Sequence, residues 1–206
     1  MPLWGTAHAS GDNKPKFLPE DANSKYTKDN AYATQAGWVM QAGSAATGND
    51  NTAATPEVLV AIGDLAGIDA TSGLRAPTIA SIGFVVGKTA TTDLTAGTQT
   101  ITANVSWDEG VTVVGSPTIV VTNGNEGTGT GRGPYTLVYT ATGSTANKKR
   151  FTLAAQTVAE DDVLVLGTAN ITLAGGTISD TVVGGTTVAA SVDVSAITDV
   201  THTVLA

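Results

Sequence analysis

The sequence predicts an all-β protein, with a β-sandwich preceded by an extended, mostly irregular N-terminal arm that includes a small β-hairpin. Three observations predict this class. Charged residues make up 14% of the 206-residue chain, against roughly 25% in an average globular domain. Valine and threonine, which favour strands, are frequent, and 24 glycines supply turns. From residue 78 onward, short apolar runs alternate with turn residues, as in a sandwich.

The N-terminal arm covers residues 1 to about 55 and shows neither a strand nor a helix period. A disordered linker is usually poor in aromatic residues, yet this segment contains several large rings. They are Trp4, Phe17, Tyr26, Tyr32 and Trp38. We therefore expect an arm that buries these rings against another surface: its own domain, a neighbouring copy or a different protein.

A small hairpin is predicted within and just after the arm. Residues 38–41 and 58–62 have the composition of short strands and are joined by a long loop. A Gly-, Asp- and Ser-containing linker follows the second strand. We therefore expect an N-terminal arm and small β-region at residues 1–76, and a sandwich domain with a C-terminal strand or tail at 77–206.

The sandwich is predicted from a series of short strands. Along residues 100–107 the side chains alternate, which is typical of a half-buried antiparallel strand. The apolar face of this strand carries Ile101, Ala103, Val105 and Trp107. The candidate strands are 78–86, 99–107, 111–114, 118–122, 135–141, 150–155, 163–166, 171–173 and 187–194.

Three stretches of this region resemble the bacterial immunoglobulin-like repeats of surface adhesins. They are ITANVSWDEGVTVVGSPTIVV at residues 101–121, YTLVY at 135–139 and ITLAGGTISD at 171–180. The resemblance covers about residues 80–180. It implies an immunoglobulin-like β-sandwich that serves as a spacer or binding module and carries no general catalytic residues.

Four shorter stretches are similar to small virion proteins of marine and cyanobacterial tailed phages. They are LWG at residues 3–5, KPKFL at 14–18, AGWV at 36–39 and EVLVA at 57–61. This resemblance implies a location in the virion, after assembly in the host cytoplasm. It implies the major capsid protein or other virion proteins as partners, with self-association on the particle.

Together the two resemblances lead us to expect a non-enzymatic bacteriophage structural protein, a capsid decoration protein. In this hypothesis the arm binds the shell lattice and the immunoglobulin-like domain projects outward. The lattice-binding rings are Trp4, Phe17, Tyr26, Tyr32 and Trp38. One alternative is a tail, neck or fibre protein of the same particle, and another is an adhesin-like module that binds glycans.

Charge and hydropathy argue against two other classes of partner. The net charge is −8 and the pI is about 4.5, whereas nucleic-acid binding needs basic patches. No apolar run approaches the ~20 residues of a membrane span, and the first residues lack the pattern of a secretory signal peptide. We therefore expect neither nucleic acid nor membrane as a partner.

The sequence offers no obvious catalytic set. Because His8 and His202 lie at opposite ends of the chain, a nucleophile beside a histidine base is not favoured. The glycine-rich loop at 127–133 lacks a phosphate-loop pattern. We interpret it as a mobile loop tip, with Arg132 as a candidate outer contact. We accordingly expect no catalytic residue and no cofactor.

Two further charge clusters have ordinary interpretations. The acids at 108–109 and 160–162 fit strand ends, and the basic run at 148–150 fits an exposed turn. A calcium site would need six to eight oxygen ligands. It remains an alternative for the acidic corners, but the interpretation we favour is no metal.

Overall fold

The structure, a computed structural model, describes residues 28–43, 51–66, 74, 76–85, 94–124, 132–180 and 187–206. Its strands are β1 (Ala31–Thr34), β2 (Gly37–Met40), β3 (Glu57–Ala61), β4 (Ile79–Phe84), β5 (Gly97–Trp107), β6 (Val111–Val114), β7 (Thr118–Asn123), β8 (Tyr135–Thr140), β9 (Lys148–Val158), β10 (Val163–Leu166), β11 (Thr177–Asp180) and β12 (Val200–Thr203). A single 3-10 turn over Lys28–Asn30 precedes β1, and the described ranges contain no α-helix. The predicted all-β class is confirmed. Among these residues no helix has the length and apolar character needed to cross a bilayer.

The first three strands form a small antiparallel sheet in the order β1-β2-β3, which we call the small sheet. The predicted hairpin is confirmed as the pairing of β2 with β3. The sequence did not predict β1, which pairs with β2 through a tight turn at 35–36. Trp38 lies at the centre, packed with Ala33, Leu65 and Leu74.

Seven strands form the sandwich in the order β12-β10-β7-β8-β9-β5-β4. A constant-type immunoglobulin domain has strands A, B, E and D on one sheet and C, F and G on the other. Here β4, β5, β9 and β8 occupy the first set, and β7, β10 and β12 occupy the second. The β7–β8 pairing connects the two sets into one curled sheet. The predicted β-sandwich is confirmed, and its strand order corresponds to the one described for an immunoglobulin-like domain.

The two ends of the curled sheet approach each other. The rings of Phe84 on β4 and His202 on β12 have their centroids 6.0 Å apart. His202 Nε2 also accepts a hydrogen bond from the Leu94 N–H at 3.4 Å. The predicted C-terminal strand or tail includes β12, and its His202 makes this packing contact.

Side chains from both sets fill the core. The predicted inward face of β5 is confirmed, because all four of its apolar side chains are fully buried. They pack in one cluster with Ile119 and Val121 of β7 and Leu164 and Leu166 of β10. Burial of each such side chain contributes about 1.5–3 kcal/mol. The indole N–H of Trp107 donates to the Ser191 carbonyl at 2.9 Å, so the largest core residue is satisfied.

In the sandwich region, two predicted strands are absent and one strand, β11, was missed. Residues 171–173 and 187–194 make only isolated bridges, Thr118 with Thr172 and Ser179 with Ala189. Instead, residues 177–180 form β11, which pairs with β6 as a separate two-stranded sheet. A turn with positive φ at Ala174 and Gly175 directs the chain toward β6.

Gly37 provides a test of whether the small sheet forms as described. Its φ is +120°, and a Cβ there would lie 2.1 Å from the Val60 carbonyl oxygen, so alanine would strain the backbone and displace β3. We expect Gly37→Ala to speed amide exchange across β1–β3 at least tenfold, as measured by hydrogen–deuterium exchange. Gly83→Ala is the control, because a Cβ at Gly83 meets open space. Unchanged protection of β1–β3 in Gly37→Ala would contradict the described pairing.

Candidate functional site

The small sheet is attached to the sandwich at the 3-10 turn. Asp29 accepts a hydrogen bond from the Ser81 hydroxyl at 2.8 Å, and its carbonyl accepts one from the Asn147 amide at 3.0 Å. Lys148 Nζ donates to Asn30 Oδ1 at 3.1 Å. These contacts fix the start of β1 against β4 and the segment leading into β9.

A second attachment lies further along β1, at Ala33. The Ala33 N–H donates to the Asp108 carbonyl at 2.7 Å, in a parallel bridge between Ala33 and Glu109. The Asp108 carboxylate is buried and accepts two 2.7 Å hydrogen bonds from the backbone N–H and hydroxyl of Thr78. Residues 107–109 therefore connect β5, β4 and β1.

An open space of about 600 Å³ lies between these two parts of the fold. We call it the cleft. One wall consists of residues 32–36 and Ala66 of the small-sheet region. The opposite wall is formed by residues 109–112, Ala146, Lys149 and Asp180. Small-molecule sites commonly have volumes of roughly 300–1,000 Å³, so the cleft is large enough for a ligand or for a partner's side chain.

Glu109 is the unusual residue in this cleft. Its side chain is 5% exposed, and its Oε1 has no hydrogen-bond partner. Desolvation by burial, followed by repulsion from Asp108 and Asp180, raises the pKa of Glu109 to about 8. An unpaired buried polar atom costs about 1–3 kcal/mol. Glu109 is thus an energetically costly residue that faces a cavity.

Asp180 and Lys149 also line the cleft. Asp180, at the end of β11, accepts a hydrogen bond from the Val188 N–H at 3.1 Å. Lys149 directs its ammonium group to the Thr145 carbonyl at 2.6 Å, and burial lowers its pKa to about 8. The expectation that residues 148–150 form an exposed turn is wrong, since they begin β9 and Lys149 is buried.

The cleft contains neither histidine nor a metal-binding cluster. His202 lies at the edge between β12 and β4. In the described ranges no group of three or more His, Cys, Asp or Glu side chains could hold a metal ion. The chemistry that the cleft offers is therefore hydrogen bonding and charge, centred on Glu109.

The aromatic residues predicted to bind a lattice fall into two groups. Trp4, Phe17 and Tyr26 lie outside the described residues. Trp38 is 0% exposed and Tyr32 is 6% exposed, and both are covered by the chain's own residues. Of the surfaces expected to bury these two rings, the chain's own is the one observed, so the structure corrects their assignment as lattice-binding residues.

Arg132 also differs from its expected position at a loop tip. Its guanidinium forms an ion pair with Asp162 Oδ1, and its Nε donates to Oδ2 at 3.3 Å. Asp162 is 0% exposed and also accepts from the Ala159 N–H at 2.9 Å. Arg132 therefore fixes the base of the segment between β7 and β8. The interpretation of Arg132 as an outer-loop contact is corrected.

Comparison of the chain with protein-family models, with curated proteins and with solved structures gives no match.

The Arg132–Asp162 pair yields a stability prediction. Asp162→Asn keeps the side-chain shape but removes the charge, leaving the guanidinium without its buried counterion. We expect a loss of about 2–4 kcal/mol in the free energy of unfolding, measured by urea denaturation. The neighbouring, exposed Glu160 supplies the control, and Glu160→Gln should change stability by less than about 0.5 kcal/mol. Equal stability of the two variants would contradict a structural role for the pair.

Glu109 yields a pH prediction. Because its folded pKa lies above the ordinary value of 4.5, the folded state retains a proton that the unfolded state loses between about pH 4.5 and 8. The stability contributed by this protonation is full below pH 4.5 and disappears as pH rises through the folded pKa. Glu109→Gln mimics the protonated form. Relative to wild type, its free energy of unfolding should increase over this window by at most about 1.4 kcal/mol per pH unit.

The measurement is urea denaturation of both proteins at half-unit steps from pH 5 to 9. Glu160→Gln serves as the charge-matched control and should follow the wild-type profile. Parallel profiles for wild type and Glu109→Gln would show that Glu109 titrates normally in the folded protein.

Proposed function

We propose that the protein is a non-enzymatic structural protein of a tailed-phage virion, most specifically a capsid decoration protein. Residues 1–27, here called the leader, would bind the shell lattice, and the immunoglobulin-like domain would project from it. The partners would be the major capsid protein or other virion proteins, with self-association on the particle. The four phage-like stretches at residues 3–5, 14–18, 36–39 and 57–61 support this assignment.

One structural observation carries the proposal. The residues directly after the leader are fixed to the sandwich by the hydrogen bonds of Asp29 and Asn30 and by the Ala33–Asp108 bond. A rigid connection of this kind would let an anchor set the orientation of the domain that it carries. A contact made by the leader would therefore position the sandwich directly.

The leader contains the apolar residues for such a contact. Trp4, Phe17 and Tyr26 lie within it, and buried aromatic residues frequently dominate binding energy at interfaces. Since Tyr32 and Trp38 are buried within the chain, we assign the lattice contact to the three aromatic residues of the leader.

The small sheet offers an additional surface. β3 is its edge strand within the described residues, and Val58 on β3 is 47% exposed. Exposed edge strands can pair with strands of another chain. This supports self-association or contact with a neighbouring virion protein.

The proposal is tested with particles that lack this protein. Wild-type protein should sediment with emptied or complete shells, whereas the full-length variant Trp4→Ala/Phe17→Ala/Tyr26→Ala should bind at least tenfold more weakly. Loss of an interface aromatic commonly costs about 2 kcal/mol or more. The matched control is Ser10→Ala/Ser24→Ala/Thr27→Ala, which alters the leader without removing rings and should bind like wild type.

Several outcomes separate the alternatives. Binding to isolated tails but not to shells would favour a tail, neck or fibre protein. Failure of the wild-type protein to bind any part of the particle would refute a virion role. Equal binding by the ring variant would refute the leader as anchor.

A further inference from the structure

Buried carboxylates elsewhere in the described residues have partners that explain them. Both oxygens of Asp108 are bonded to Thr78, and Asp162 binds Arg132. Glu109 differs, since this residue lines the cleft and its buried Oε1 has no hydrogen-bond partner. A side chain that is only 5% exposed, lines a cavity and has an unpartnered carboxyl oxygen indicates a missing hydrogen-bond donor.

The charges around Glu109 indicate the sign of that donor. Electrostatic repulsion from Asp108 and Asp180 disfavours the ionised form of Glu109. Lys149 also lines the cleft, but its ammonium group is bonded to Thr145. Tyr32 contributes a phenol. The Glu109 end of the cleft therefore has an excess of acidic groups, which favours a cation.

The residues that line the cleft favour an organic cation over a metal ion. No three His, Cys, Asp or Glu side chains in the described part of the chain are grouped to coordinate a metal. The walls near Glu109 also include the apolar side chains of Ala33, Ala36, Ala66 and Val111. An ammonium or guanidinium group on an apolar stem matches both features, because its N–H groups would satisfy the carboxylate while its stem contacts the alanines and valine.

We propose that the cleft between the small sheet and the sandwich binds an alkylammonium or alkylguanidinium group, with Glu109 as the residue that accepts its N–H donors. Two sources carry this chemistry: a lysine or arginine side chain of a protein, and a free polyamine. The leader supplies one protein candidate, since Lys14 and Lys16 occur in the KPKFL stretch. This inference is independent of the virion role.

Binding should depend on pH in a defined direction. A cation requires ionised Glu109, so below about pH 8 each binding event releases a proton. Affinity should rise by up to about tenfold per pH unit from pH 6 to 8 and then level off. The other titratable groups that face the cleft or Glu109 are Asp108, Asp180, Lys149 and Tyr32.

The experiment uses the full chain and isothermal titration calorimetry at constant ionic strength. The probes are n-butylammonium and n-butylguanidinium chloride, with n-butyltrimethylammonium as the control cation that lacks N–H donors. Wild-type protein should bind the first two probes at least tenfold more tightly than the third. Glu109→Gln should weaken binding at least tenfold and abolish the pH dependence. The control Glu160→Gln changes a residue that does not line the cleft and should bind like wild type.

A peptide of residues 10–20 and spermidine then distinguish the two sources. Tighter binding of the peptide, lost when Lys14 and Lys16 are replaced by glutamine, identifies a protein side chain; tighter binding of spermidine identifies a polyamine. Absence of binding by both n-butyl probes at pH 8.5, or unchanged binding by Glu109→Gln, would overturn the proposal. If Glu109→Gln fails to fold, the trimethylammonium comparison and the wild-type pH profile still decide it.

Discussion

The structure depends on a short buried junction at the end of β5. Asp108 caps the start of β4 through its carboxylate and holds β1 through its carbonyl oxygen. Asn147, which is fully buried, adds hydrogen bonds from its amide to the carbonyls of Trp107 and Asp29. Because charge-assisted hydrogen bonds are stronger than neutral ones, this junction fixes the small sheet where a chain connection alone would allow it to move.

The junction also creates the cleft. Once Ala33 is bonded to Asp108, β1 lies over the neighbouring Glu109, whose side chain is only 5% exposed. Protonation then costs less free energy than keeping an unpaired buried carboxylate charged. The raised pKa of Glu109 is thus a direct consequence of how the small sheet docks.

Much of the sandwich could be predicted from local pattern. The alternation of β5 identified its buried face, and β6 and β10 have the predicted bounds. β1 was missed because two of its four residues are alanines, which are depleted in strands. β11 was missed because a turn at Ala174 and Gly175 moves the strand several residues beyond the apolar run at 171–173.

Part of the candidate site could be predicted from the alternation of side chains along β5. Glu109 and Val111 continue the odd-numbered series that ends at Trp107, and both are buried. Extending the alternation of β5 past Asp108 would have predicted that Glu109 is buried. The Arg132–Asp162 pair could not be found this way, because thirty residues separate its members and only the tertiary fold brings them together.

The presence of aromatic residues in a segment could not show which surface buries each ring. Trp38 and Trp4 both fit an interface by composition, and only the pairing of β2 with β1 and β3 shows that Trp38 belongs to the interior of the chain. Burial of large apolar area stabilises a chain in the same way whether the covering surface is its own or a partner's.

Docking of the small sheet and occupation of the cleft must stabilise each other. The same β1 that covers Glu109 forms one wall of the cleft, so a cation bound there contacts both the small sheet and the sandwich. A ligand that binds only the docked state shifts the equilibrium toward that state. Residues 107–109 therefore couple two properties: the rigidity of the connection between leader and sandwich, and the affinity of the cleft for its ligand.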